Sequence, residues 1–292
     1  MSTTLENLHT RLAYRLGEDS APNDTNEKNR RTSFFNEAQR KIYGEHYWWF
    51  LATIASQSTV AGQEIYTTTS VRDIFEVRLN RKLVVPFPIE DALGTYNYPP
   101  LYYQYRSILN KWYLLGDELH ILPVPDSTPS AISLSSVAQS GGIATATSAA
   151  NHELQANDFV TIAGANQSDY NGTFRVTSVP TDTTFTFAVS SSATTPATGT
   201  ITATWRNLVY RHWSTMTDLS SDSDITLIPD AFSDILVSYA YGRYGYIDDT
   251  RGNASDGFEE FNNILKDMRS EQNRRELYGK QQPSLSPEYH HD

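Results

Sequence analysis

The chain has 292 residues, no cysteine, and 34 acidic against 23 basic side chains, for a formal charge of −11. Without cysteine there is no disulfide framework, thiolate metal site or thiol nucleophile, and the acidic balance makes it a poor candidate for gripping duplex DNA, which needs cationic side chains to displace counterions. The N-terminus has no basic segment followed by an apolar run, and no apolar stretch approaches the roughly 20 residues needed to span a bilayer, so a soluble, unanchored protein is expected. A chain of this length can bury two cores.

Leu5, Leu8, Leu12 and Leu16 form one stripe of an amphipathic helix, with Thr3 and Glu6 as a capping box and Gly17 as terminator. Residues 18–29 are polar, contain Pro22 and read as a loop. A second helix is predicted over residues 32–50, capped by Thr32 or Ser33. Phe35, Ala38 and Ile42 recur on its inner face, and Tyr47, Trp48, Trp49 and Phe50 carry its end into a core. The rival reading of that aromatic cluster is a platform for a sugar or a base.

A β region follows, with short β-branched or aromatic runs at Gln63–Thr68, Ile74–Leu79 and Lys82–Phe87. Residues 90–106 are tyrosine-rich around Pro99 and Pro100. Lys111 to Leu122 reads as a hairpin about Gly116-Asp117, which sets Leu114 against Leu119 and Trp112 against Ile121. Pro123, Pro125 and Pro129 end it.

From Pro129 to Thr204 the only basic residue is Arg175, and Ser, Thr, Ala and Gly dominate. Alternation in Asp158–Ile162, Gly172–Thr177 and Thr184–Phe187, with turns at Asn171-Gly172 and Thr181-Asp182, predicts an inserted all-β sandwich or barrel. The host chain resumes at Trp205 with a strand over Asn207–Trp213. Ile228-Pro229-Asp230 opens a helix whose inner face is Phe232, Ile235, Leu236, Tyr239 and Ala240, with Gly242 and Gly245 permitting close approach of a neighbour. After a turn at 248–253, a last helix over 254–277 turns Phe258, Phe261, Ile264, Leu265 and Met268 inward. Its acids lie early and its bases late, matching the helix dipole. The fold expected is α+β: a helical bundle from the N- and C-terminal helices with a small antiparallel β region (1–128 and 205–278), an inserted all-β module (129–204) and an extended tail (279–292). Phe35, Ile42, Tyr47, Trp48, Trp49, Phe232, Leu236, Phe261 and Leu265 are its expected core anchors.

No motif carries catalysis. His9, His46, His120, His152, His212, His290 and His291 include no pair at helical metal-ligand spacing, and the terminal His290-His291-Asp292 reads as a solvated tail. Asp222-Ser223-Asp224 and Asp248-Asp249 do not follow a calcium-loop pattern. Gly141-Gly142 lacks the lysine and helix of a phosphate cradle, and there is no serine elbow. No metal, cofactor or catalytic residue is assigned, although paired carboxylates of a hydrolase would leave no signature. Tyr96, Tyr98, Tyr102, Tyr103 and Tyr105 suit a strand edge, a subunit interface or a carbohydrate groove. Arg269, Arg274, Arg275 and Lys280 suit the dipole, an acidic partner, or DNA.

The order of the pieces says more than any one of them. Helices ending in Tyr47-Trp48-Trp49-Phe50 lead to Gly62-Gln63-Glu64-Ile65-Tyr66. Then come Leu114 through Asp126, Tyr210-Arg211-His212-Trp213 and Ile228-Pro229-Asp230-Ala231-Phe232. This order resembles that of head-to-tail adaptor (connector) proteins of tailed bacteriophages, apart from about 129–204 and the tail, and the insert is similar to β modules of phage structural proteins. The resemblance implies a non-enzymatic virion neck protein, assembled in the bacterial cytoplasm. It implies a homo-oligomeric ring, usually twelve-fold, under the portal, extending the DNA channel and docking tail or nozzle proteins. Arg274, Arg275, Tyr278, Lys280, Pro283, Pro287 and Tyr289 would dock the portal or another partner, and Tyr241, Arg243, Tyr244 and Tyr246 would meet sister subunits. The net charge leads to the expectation of a neutral or acidic channel past which DNA slides. The alternative is a glycan-binding or fibre-associated tail protein acting through the insert.

Overall fold

The computed structural model describes residues 3–87, 111–247 and 253–281, with side chains through 276. They form a mixed α and β fold with four helices, a seven-stranded sheet and a closed six-stranded barrel. Two compact units emerge, Met1–Ala52 with Trp213–Asp292, and Thr53–His212. The β region before the insert therefore groups with the insert, where the composition shift had grouped it with the helices.

In the first unit α1 (Leu5–Arg15) is capped by Thr4, whose side chain accepts from the Asn7 backbone N–H. The Thr3 hydroxyl, expected in that role, instead donates to Asp230. The second helix, α2 (Thr25–Glu45), starts well inside the stretch expected to be a loop, because Asp24 caps it at 2.9 Å from the Glu27 nitrogen. Its polar first turns are held by Glu27 pairing with Arg30 and Arg31 at helical spacing. The helix stops at Glu45, short of the aromatic cluster, and His46 is extended. Four consecutive aromatics point all round a helix, so only a break lets Trp48 enter the core while Tyr47 turns outward. Trp48 is fully buried and its indole N–H donates to the Ile42 carbonyl at 2.7 Å, satisfying an acceptor in the last turn of α2.

On the far side of the sequence the expected single helix from Pro229 is split into a 3-10 turn (Asp230–Phe232) and α3 (Asp234–Ile247). The last helix, α4, runs Ala254–Gln281, past its expected end at 277 and three residues into the stretch expected to be extended, because no proline interrupts it before Pro283. The stretch Ile235–Ala240 of α3 is buried on every side, and the helix packs against each of the other three. This explains why it lacks an amphipathic stripe: a helix surrounded by protein needs no polar face. The other three helices thus pack on α3 as the central element. Gly242 and Gly257 let α3 and α4 touch backbone to backbone, since a Cβ on Gly257 would fall 2.4 Å from the Gly242 nitrogen.

In the second unit the sheet comprises β1 (Ala52–Gln57), β2 (Ile65–Thr67), β3 (Val71–Leu79), β4 (Lys82–Pro86), β5 (Lys111–Leu115), β6 (Glu118–Leu122) and β13 (Leu208–Ser214), in the order β1-β13-β3-β4-β5-β6-β2. The β5–β6 hairpin has the register its turn dictates, with Leu114 opposite Leu119 and Trp112 opposite Ile121. The sheet is not wholly antiparallel, because β4 and β5 pair in parallel. Between β6 and β13 the chain builds β7 (Ala131–Ser140), β8 (Ile143–Ser148), β9 (Phe159–Ala165), β10 (Gly172–Thr181), β11 (Thr184–Ala188) and β12 (Gly199–Arg206), closed in the order β10-β11-β8-β7-β12-β9. Closure removes both sheet edges, and Val137, Val160, Tyr170, Phe185 and Phe187 fill the interior.

Candidate functional site

Among the expected core anchors, Phe35, Ile42, Trp48, Leu236, Phe261 and Leu265 are buried, Trp49 and Phe232 are half-buried, and Tyr47 is 39% exposed. The turn after α2 fastens α4. The Trp49 backbone N–H donates to Gln272 Oε1 at 2.9 Å, the Arg275 guanidinium lies 5.0 Å from the centre of the Trp49 ring, and Arg269 pairs with Glu45. Arg274 and Arg275 both bond Glu271. The cationic end of α4 is thus partly neutralised by its own helix. The side chains of Tyr278, Lys280, Pro283, Pro287 and Tyr289 lie outside the described residues, as do Tyr96 through Tyr105, Asp248-Asp249 and His290-His291.

The four residues expected at a subunit interface divide sharply. Tyr246 is 72% exposed. Tyr241 is half-buried beneath Arg15, whose guanidinium lies 4.5 Å from its ring centre, and Arg243 pairs with Glu37 at 3.2 Å. Tyr244 is instead buried inside its own unit, where its hydroxyl donates to Glu27. Burial, reinforced by that carboxylate, pushes its pKa up to about 12. Within a single copy it therefore lies in the core against α2. The same Glu27 bonds Arg31, a fully buried arginine that also bonds Glu18 at 2.7 and 2.9 Å. A buried guanidinium is tolerable only with such partners.

The second unit contains a cleft of about 380 Å³ where the sheet meets the barrel. The hinge of the junction is Asn207, the single residue between β12 and β13. It is buried, accepts from the Thr59 backbone N–H at 2.9 Å, and donates to Thr59 Oγ1 at 2.8 Å and Asn80 Oδ1 at 3.0 Å. Arg81 reaches from the β3–β4 turn to the barrel, bonding Asp158 at 3.0 Å and the Glu153 carbonyl at 2.8 Å, and its guanidinium lies 4.5 Å from the Trp205 ring centre. Arg206 crosses the other way to the Ser56 carbonyl at 2.9 Å and Thr161 Oγ1 at 3.1 Å. Its pKa is lowered because burial strips water from the guanidinium. Arg78 and Arg211 both face Glu76, at 2.6 and 3.5 Å, and Arg175 bonds Asn157 Oδ1 at 2.7 Å. Sequence reasoning named Arg175 as the lone base of the insert and Arg211 within the Tyr210–Trp213 stretch, but grouped none of the five, because they come from separated strands and a turn.

Asp224, weighed as a calcium ligand, has its carboxylate occupied by the Ser220 and Ser221 backbone N–H groups at 2.7 and 2.8 Å, an ordinary turn whose hydrogen bonds lower its pKa. Among the described residues no three His, Asp or Glu side chains cluster as metal ligands, and no helix is long and apolar enough to cross a membrane.

A family model described as SU10 adaptor protein matches residues 3–284, which takes in both units and the insert. The chain belongs to the SU10 adaptor protein family. It is therefore a bacteriophage adaptor, a structural protein of the virion. No curated protein matches it. Among solved structures, Phage phi92 endosialidase is similar at 23% identity and a TM-score of 0.21, over 34% of this chain and 14% of that one. So slight a likeness carries no argument for the glycan-binding alternative.

Proposed function

We propose that this SU10-family adaptor joins head to tail as a ring, twelve-fold as in similar connectors, seated under the portal and extending the channel through which DNA passes. The observation that carries the reading is the family match over residues 3–284. The ring works by geometry, without catalysis. Helical units of neighbouring copies pack side by side, with the exposed Tyr246 and the half-buried Tyr241 and Arg243 at their boundary. The proline-containing tail, 279–292, docks the portal or another neck protein, rooted by an α4 that Gln272 and Arg275 tie to Trp49. The −11 charge favours a channel that does not hold DNA.

Electron microscopy of the protein mixed with portal rings tests this directly. Rings of adaptor capping the portal are expected, and a chain that stays solitary would overturn the reading. Deleting 279–292 should leave a folded protein that no longer attaches to portal-bearing heads. Replacing 129–204 with a short Gly-Ser linker should preserve head–tail joining.

A further inference from the structure

In a chain with a surplus of acids, the sheet–barrel cleft gathers five arginines (Arg78, Arg81, Arg175, Arg206 and Arg211) around two carboxylates, Glu76 and Asp158. The imbalance is local and built. Arg206 is held by Ser56 and Thr161, neutral oxygens that fix its direction and leave its charge uncompensated. Arg175 on the barrel and Arg211 on the sheet are exposed across the opening.

Positive-φ backbone gathers at the same place. Of five non-glycine residues at positive φ among the described residues, Asn80 and Arg81 form the β3–β4 turn, while Glu153 and Asn157 belong to the barrel loop facing it. At Asn80 and Arg81 positive φ is what a two-residue hairpin turn requires. The turn carries the Arg81 guanidinium onto Asp158 and over Trp205.

We propose that this cleft is a receptor for an acidic peptide segment of another protein subunit, whose carboxylates take the Arg175, Arg206 and Arg211 guanidiniums. Paired N–H donors of arginine match the two oxygens of a carboxylate. The volume lies near the lower end of the about 300–1,000 Å³ usual for ligand pockets, enough for a short run of side chains. A duplex is disfavoured: it is a broad convex rod that contacts several phosphates in register, and the cleft is concave and confined. Beyond the cleft the chain's net negative charge repels a polyanion, while a short peptide meets only the arginines. The inference goes beyond the adaptor reading and does not depend on it, because the cleft lies within one unit of a single copy.

The experiment titrates the full-length protein into a fluorescein-labelled, Asp/Glu-rich short peptide at about 0.05 M and about 0.5 M salt, with the Asn/Gln-substituted peptide as control. Saturable binding of the acidic peptide alone is expected, weakening at high salt. In the Arg175→Gln/Arg211→Gln double variant affinity should fall at least about tenfold, since two charge-assisted hydrogen bonds are lost, with the melting temperature unchanged. Arg206→Lys, which keeps the charge and loses the paired donors, should bind with an intermediate loss. The proposal is overturned if the control peptide binds equally or if the double variant keeps wild-type affinity. It is equally overturned if a short DNA duplex displaces the peptide at lower concentration than unlabelled peptide does, which would make the cleft a nucleic-acid site.

Discussion

The helical unit and the barrel solve the same closure problem by opposite means. The helical unit joins the two ends of the chain, so its partners lie far apart in sequence and many alternative pairings compete. Directional polar links select the right one. Arg11 donates to Ser233 at 2.8 Å, Asn36 exchanges bonds with the Leu219 backbone at 3.0 and 2.9 Å, and Gln39 accepts from the Thr226 hydroxyl at 3.0 Å. The barrel is one contiguous stretch in which strand register does the selecting, and its interior is almost entirely apolar. Both need glycine where backbones meet. In the barrel a Cβ on Gly164, at φ +85°, would fall 2.1 Å from the Thr200 carbonyl oxygen. Remote closure demands specific polar chemistry, and local closure demands shape.

The largest expected effect separates the two units. Trp48→Ala removes the largest fully buried side chain together with its bond to Ile42, and should cost about 3–5 kcal/mol. In calorimetry the helical transition should move down while that of the barrel stays. Equal movement of both would show one cooperative block and end the contrast. Losses of about 3 kcal/mol or more are expected for Gly257→Ala in the helices and Gly164→Ala in the barrel, because each new Cβ would fall within 2.5 Å of backbone atoms that cannot swing aside. Each should lower the melting temperature of its own unit alone. Arg31→Ala leaves Glu18 and Glu27 without their buried partner and should cost about 2–3 kcal/mol, reduced from a fully buried pair because Glu18 is 31% exposed.

A pH titration sharpens the contrast from another direction. His9 is buried beside Phe35, and burial holds its pKa down at about 4 against 6.5 unfolded. Between those values the unfolded chain binds the proton and the folded one does not. Its contribution is therefore complete above pH 6.5 and drains away as the pH falls to about 4, by at most about 3 kcal/mol. His9→Gln should flatten the pH dependence of the helical transition in that window.

The sequence disclosed what is local. Turn chemistry at Gly116-Asp117 was enough to place the β5–β6 hairpin in register, and the loss of charge after Pro129 marked the barrel within two residues of its first strand. The start of α2 was hidden because its first turns are polar and bury their charges only against Tyr244 and Glu18, which the sequence does not place nearby. The aromatic turn was read as helix because aromatic clustering reports burial and says nothing about backbone shape. The arginine cleft was invisible for a similar reason. Arg78, Arg81, Arg175, Arg206 and Arg211 share no period, and only the strand order brings them together.

By itself, then, the sequence determined the family, the β5–β6 hairpin and the all-β character of the insert, because composition and turns act over a few residues. Tertiary structure alone decided that α3 is the central helix, that Tyr244 turns inward, and that a negatively charged chain carries a concentrated positive cleft. Those outcomes depend on which distant surfaces exclude water from one another, and no short-range pattern encodes that choice.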